Sequence, residues 1–157
     1  MNHLLISRAP YVRCAGTSNP NATFRDGQWD AIRHLTDGDG CLLVVQQTGW
    51  GKSLFYFIAT KLLREAGNGP NLLISPPLSL MRNQIKAASR MGVVAETINS
   101  TNHDDWHQVA ERVKRHGVDI LQISPEILAN TDFQATVDDT TASRIMDKLL
   151  RVRFFDY

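Results

Sequence analysis

One stretch limits the architecture more than any other: Gln46-Gln47-Thr48-Gly49-Trp50-Gly51-Lys52-Ser53. The run before it, Cys41-Leu42-Leu43-Val44-Val45, is short and unbroken in its apolar character, the pattern of a strand covered on both faces. After it, Leu54, Phe55, Ile58, Leu62 and Leu63 recur at helical spacing, up to a stop at Gly67-Asn68-Gly69-Pro70. A strand, a glycine-bearing turn and a helix in that order direct the chain toward parallel crossovers, since the helix returns the chain to the starting edge of the sheet.

The same cycle then repeats. The spacing predicts a strand over 71–75, a helix over 78–90, a strand over 93–98, a helix over 104–116 and a strand over 119–124. A short helix is expected after Pro125, a loop over the Thr- and Asp-rich 130–142, a helix over 144–150 and one more strand from Val152 to Phe155. Upstream, Trp29, Ile32 and Leu35 mark a helix with Thr23 or Asp26 as its cap and Gly38 and Gly40 as its stop. Residues 1–22 lack a sustained period and form an irregular lead-in. The fold class is therefore α/β, a parallel sheet with helices on both faces, in a single domain over 23–157. With 157 residues, 43% of them hydrophobic, there is material for one core of ordinary size.

The chemistry of the Gln46–Ser53 loop follows from what a triphosphate needs. Glycines let successive backbone N–H groups turn inward, and the start of a helix adds its positive dipole end. Lys52 would reach the outer phosphates and the Ser53 hydroxyl would ligate Mg²⁺. A glycine turn with one exposed lysine would read the same way in isolation, but the strand–loop–helix setting favours phosphate. Gln46 stands where the general pattern has glycine.

Composition excludes more than it assigns. Seventeen Lys and Arg against 16 Asp and Glu leave a net charge of +1, so any nucleic-acid contact must come from local placement. Cys14 and Cys41 are too far apart in sequence for a C-x-x-C pair and read as reduced thiols. No run of 18 apolar residues suggests a membrane span, and Leu4-Leu5-Ile6 is too short for a signal core, so a soluble, cytoplasmic protein is expected. His103 and His107 share a helical face, but without cysteine partners they make a poor zinc site. Trp29 and Trp106 read as core residues before base-stacking platforms, and Arg112, Lys114, Arg115 and His116 as charges complementing a helix C-terminus. Asp138-Asp139 reads as a solvated loop.

Four segments around the loop narrow the field. Phe24-Arg25-Asp26-Gly27-Gln28 resembles the F-R-x-G-Q element of RecQ-like superfamily-two DNA helicases, members of the DEAD/DEAH-box group. Ser75-Pro76-Pro77-Leu78-Ser79-Leu80-Met81-Arg82-Asn83-Gln84 resembles their S-P-L-x-S-L-M-x-D-Q segment. Ile98-Asn99-Ser100-Thr101 is similar to the L-N-S-x stretch, and Ser124-Pro125-Glu126-Ile127-Leu128 to A-P-E-R-L. The resemblance implies a RecA-like P-loop domain that binds ATP and Mg²⁺. In it Arg25, Gln28, Thr48, Gly49, Trp50, Gly51, Lys52 and Ser53 hold the nucleotide, Gln28 reads the adenine edge and Lys52 acts in catalysis. It also implies contacts to single-stranded or forked DNA from Ser75, Pro76, Ser79, Arg82, Asn99, Ser124, Pro125 and Glu126, through hydroxyls and backbone groups that position a strand without reading its sequence.

The departures are specific. Trp50 stands where the family usually has glycine, and an indole there either crowds the phosphates or turns to solvent. Gln47 replaces proline, Asn21 an aromatic residue and Ile127 an arginine. The resemblance implies a later D-E-A-H strand, which Val152-Arg153-Phe154-Phe155-Asp156-Tyr157 only begins. Asp156 is the candidate Mg²⁺ carboxylate, and Tyr157 stands where the water-orienting glutamate belongs. The expectation is a first RecA-like domain incomplete at its C-terminus, through a truncated or frameshifted gene or a deliberate cut, and unable to unwind DNA alone. A partner, or a second copy, would cover the face left by the absent second domain. The alternative is a nucleotide-binding or interaction module without motor activity that regulates a longer homologue; a small P-loop kinase ranks last.

Overall fold

The computed structural model describes residues 23–37, 42–47, 49–74, 78–128, 130–131, 133 and 153–155. Helix α1 (Gln28–Asp37) follows a turn in which the Gln28 N–H donates to Arg25 O at 3.0 Å and Gly27 takes φ 77°. The Gln28 carboxamide returns the bond, accepting from the Arg25 N–H at 2.9 Å, a reciprocal closure that uses donors a helix start leaves free. Helix α2 (Lys52–Glu65) buries Phe55 to Thr60 and Leu62 and closes at Gly67, whose φ of 82° suits a glycine after a helix. Three strand–helix cycles and a last strand then run through β1 (Asn71–Ile74), α3 (Leu78–Arg90), β2 (Ala95–Ile98), α4 (Trp106–Lys114), β3 (Ile120–Ile123), α5 (Pro125–Leu128) and β4 (Arg153–Phe155).

The strands form one parallel sheet in the order β2-β3-β1-β4, with Ile74, Ile98 and Ile123 at one level. Side chains alternate across it, and the core divides accordingly. Leu73 and Ile120 join Ile32, Phe55, Phe57 and Ile58 on the face covered by α1 and α2. Leu72, Ile74, Leu121 and Ile123 join Trp106, Val109, Val113 and Ile127 on the face covered by α4 and α5. Fully enclosed Phe57 and Ile58 each contribute about 2 to 3 kcal/mol of apolar burial. On the first face one polar pair is enclosed as well: Gln122 Nε2 donates to Gln84 Oε1 at 2.7 Å, tying β3 to α3.

This is the α/β architecture the sequence implies, with three local corrections. Leu42 to Gln47 are not a strand: Leu43 and Val45 are 86% and 80% exposed, and no strand among the described residues pairs with them. An apolar run becomes a strand only by pairing, and periodicity cannot supply the partner. The helix expected over 104–116 begins as a 3₁₀ turn at His103–Asp105 and ends at Lys114, because His116 takes a left-handed φ of 59°. In the expected loop 130–142, Thr131 and Phe133 are helical, and Phe133 is buried edge-on against Trp106 at 6.0 Å. The helix expected over 144–150 and Asp138-Asp139 lie outside the described residues.

Candidate functional site

The direction of α2 settles where its loop lies. Its C-terminal Arg64 bonds Asp119, just ahead of β3, so its N-terminus points to the end of the sheet where the strands finish. That is the end where ligands of open parallel sheets bind. Ser75, Asn99 and Ser124 follow β1, β2 and β3 directly in sequence, so topology brings three of the four resembling segments to the same end as the loop.

At the loop, Gly49 and Gly51 have φ of 86° and 95°, a left-handed region that glycine enters without strain. The Trp50 N–H donates to Gln47 O at 3.2 Å and the Leu54 N–H to Gly51 O at 3.0 Å. Gly51 precedes α2 with no side-chain cap, and the first turn of α2 carries no acidic residue. A helix start without a carboxylate and opening on Lys52-Ser53 matches what a polyphosphate requires. Both side chains are half-buried. A Cβ at Gly51 would stand 2.9 Å from Gln28 Nε2, so the backbone and that carboxamide are in close approach.

The segment expected to read adenine is fastened to this loop. Gln28, 3% exposed, donates from Nε2 to Trp50 O at 2.7 Å, and Arg25 Nη1 donates to Gly49 O at 2.6 Å. Trp50 takes neither of the two expected courses: it is 8% exposed, lies within the buried cluster and sets its ring edge-on to Phe55 at 6.3 Å. Arg25, Gln28, Gly49, Trp50 and Gly51 are thus brought together; Thr48 lies outside the described residues.

The residues that resemble DNA contacts are placed less uniformly. Arg82, Pro125 and Glu126 are exposed, whereas Asn99 and Ser124 are buried. Asn99 is engaged locally: its Oδ1 accepts from the Thr101 N–H and hydroxyl at 2.8 and 2.6 Å, and its carbonyl accepts from Trp106 Nε1 at 3.0 Å. Ser124 Oγ has no hydrogen-bond partner among the described residues. Ser79 lies on the first turn of α3, while Ser75, Pro76 and Asp156 lie outside the described residues. Sequence reasoning missed Asn102, which accepts from the Asn99 N–H at 2.9 Å and donates to Thr97 O at 2.7 Å, organising the turn after β2. Two asparagines three apart were the available signal.

Elsewhere, the His103 ring meets Trp106 tilted by 48° at 4.4 Å, and Trp29 and Trp106 are core residues. The basic cluster is engaged in ion pairs: Arg112 with Glu96, and Lys114 and Arg115 with Glu111. Among the described residues no helix is long and apolar enough to cross a membrane.

Comparison with known proteins agrees with the geometry. The DEAD/DEAH box helicase family model matches residues 25–150. The chain is similar to the ATP-dependent DNA helicase RecQ of Bacillus subtilis (strain 168), 32% identical over 111 residues, covering 70% of this chain and 18% of that protein. It is 34% identical over 114 residues to its counterpart in Haemophilus influenzae, covering 71% and 18%. It is also 33% identical over 111 residues to the ATP-dependent DNA helicase Q-like 5 of Arabidopsis thaliana, covering 71% and 12%. The chain thus spans less than a fifth of the length of these curated relatives.

Proposed function

This chain belongs to the DEAD/DEAH box helicase family, and from that premise we propose that it is the nucleotide-binding part of a RecQ-like DNA helicase core. The observation that carries the reading is the start of α2: two left-handed glycines, no capping side chain, no acidic residue, then Lys52 and Ser53. Mg-ATP would supply the phosphoryl group whose hydrolysis drives a motor. The chain's own part is to hold it. The first-turn amides of α2 and Lys52 neutralise phosphate charge, Ser53 offers its hydroxyl to the metal, and Gln28 stands beside the loop to meet the base. Asp156, directly after β4 in sequence, is the proposed further carboxylate for the metal.

Single-stranded or forked DNA is the proposed partner, lying across the strand ends where Arg82 and the start of α5 are exposed. These residues would contact the phosphodiester backbone and so bind without sequence preference. Unwinding itself would draw on a second motor domain that closes over the bound nucleotide.

Calorimetric titration of Mg-ATP into the chain tests this. One-site binding is expected, weakened at least about tenfold by Lys52→Ala, roughly 1.4 kcal/mol, with an unchanged circular-dichroism spectrum. A folded wild-type chain that gives no saturable heat would sink the reading.

A further inference from the structure

Trp50 lies between two glycines in the left-handed region, Gly49 and Gly51. A tripeptide of that kind has wide freedom in water, and glycine loses more of it on folding than any other residue. Here three separate parts of the chain remove it. The indole is 8% exposed, within the buried cluster that holds Trp29, Ile32 and Phe55, and meets Phe55 edge-on with an interplanar angle of 64°. The Trp50 carbonyl accepts from Gln28 Nε2 at 2.7 Å in buried surroundings, and the Gly49 carbonyl just before it accepts from Arg25 Nη1 at 2.6 Å. The Trp50 N–H turns back to Gln47 O. The ring faces the core, so the backbone at this point is fixed from behind.

We propose that Trp50 is a positioning residue: its buried indole pins the loop in the shape that presents Lys52 and the first amides of α2, before any nucleotide arrives. The inference rests on the nucleotide reading above and adds the residue that pre-forms the site. A pre-formed loop has less ordering to do on binding, which raises affinity without a new contact to the ligand. Because the anchor acts on the phosphate-facing backbone, it strengthens ATP and inorganic tripolyphosphate by the same factor.

The test uses the full chain as wild type, Trp50→Phe and Trp50→Gly. Without ligand, amide hydrogen exchange over 49–54 should quicken about tenfold or more in Trp50→Gly and stay within about threefold in Trp50→Phe, with β1 and β3 amides unchanged. Calorimetry should show Mg-ATP and Mg-tripolyphosphate both weakened about tenfold or more in Trp50→Gly, and both within about threefold of wild type in Trp50→Phe. Equal acceleration in β1 and β3 would mean that Trp50→Gly unfolds, and Trp50→Leu, which keeps apolar bulk, then carries the comparison. Unchanged loop exchange, or ATP bound as tightly without the ring, overturns the anchor and leaves the nucleotide reading standing. Loss of loop protection in a chain whose wild type binds no ATP leaves the anchor and removes that reading.

Discussion

Where β1, β2 and β3 begin, a single ion pair gathers four segments. Arg64 Nε donates to Asp119 Oδ1 at 2.8 Å, while its other nitrogens reach Asn68 O and His116 O, both at 2.9 Å. Asp119 Oδ2 accepts from the Val94 N–H at 2.8 Å. Where the strands end, the loop is held differently: carbonyls of Gly49 and Trp50 accept from Arg25 and Gln28, and one indole sits in the core. At the first end, side chains satisfy one another and leave little for a ligand. At the second, they fasten backbone carbonyls and leave the start of a helix uncapped. One end ties the fold together and the other presents an uncapped helix start, which lets a substitution at either end be read separately.

The largest effect is expected at the first end. Asp119→Ala strips Arg64 of its carboxylate and Val94 of its acceptor in a setting where both side chains are only about a fifth exposed. Such a pair lies between a surface bridge and a buried one, so a loss of about 2 to 3 kcal/mol is expected in urea denaturation. Mg-ATP affinity of the folded fraction should be unchanged. A loss below about 1 kcal/mol would place the pair with ordinary surface bridges and break the contrast.

At the second end, Gly51→Ala should cost about 1 to 2 kcal/mol and weaken nucleotide binding, since alanine meets both a left-handed φ of 95° and the Gln28 carboxamide at 2.9 Å. Gly49→Ala shares only the first penalty, because a Cβ there meets nothing within 4 Å. It should cost about 1 kcal/mol, measured in the same denaturation series. Adding Gln28→Ala to Gly51→Ala separates clash from backbone strain: partial recovery of stability assigns the difference to the carboxamide.

The two ends differed equally in how far the sequence revealed them. From Lys52 onward, period and breaker residues located α2, β1, α3, β2, β3 and α5 to within a residue or two, because each is a local pattern. The loop was legible for the same reason: its glycines, Lys52 and Ser53 are contiguous. The Arg64–Asp119 bridge was not, since 55 residues separate its partners and each alone reads as a solvated charge. The inward turn of Trp50 was also hidden, because which side of a loop faces the core depends on α1, reached through Gln28 22 residues earlier. Leu42 to Val45 failed in the opposite way: the local pattern was clear, but pairing is a property of the partner.

The smallest effect sharpens the comparison within the first end. Glu111, near the close of α4, accepts from Lys114 Nζ at 3.1 Å and lies 4.0 Å from Arg115 Nη2. The Lys114 hydrogen bond, then the Lys114 charge, hold the Glu111 carboxyl below its ordinary value; desolvation opposes them, and Arg115 and His107 add smaller pulls downward. A carboxyl whose folded value is depressed stabilises the fold at pH above the unfolded value, and that contribution vanishes as the pH falls through the folded one. Wild type should therefore exceed Glu111→Gln in stability by a small margin at neutral pH. The margin should close below the usual glutamate range and be screened away near about 1 M salt, where the Debye length is about 3 Å. Asp119→Ala should keep most of its cost in the same salt, because its partner is more enclosed. Equal salt sensitivity of the two variants would mean that the four segments are held by screened charge, and that the shared hydrogen bonds of Arg64 and Asp119 add little.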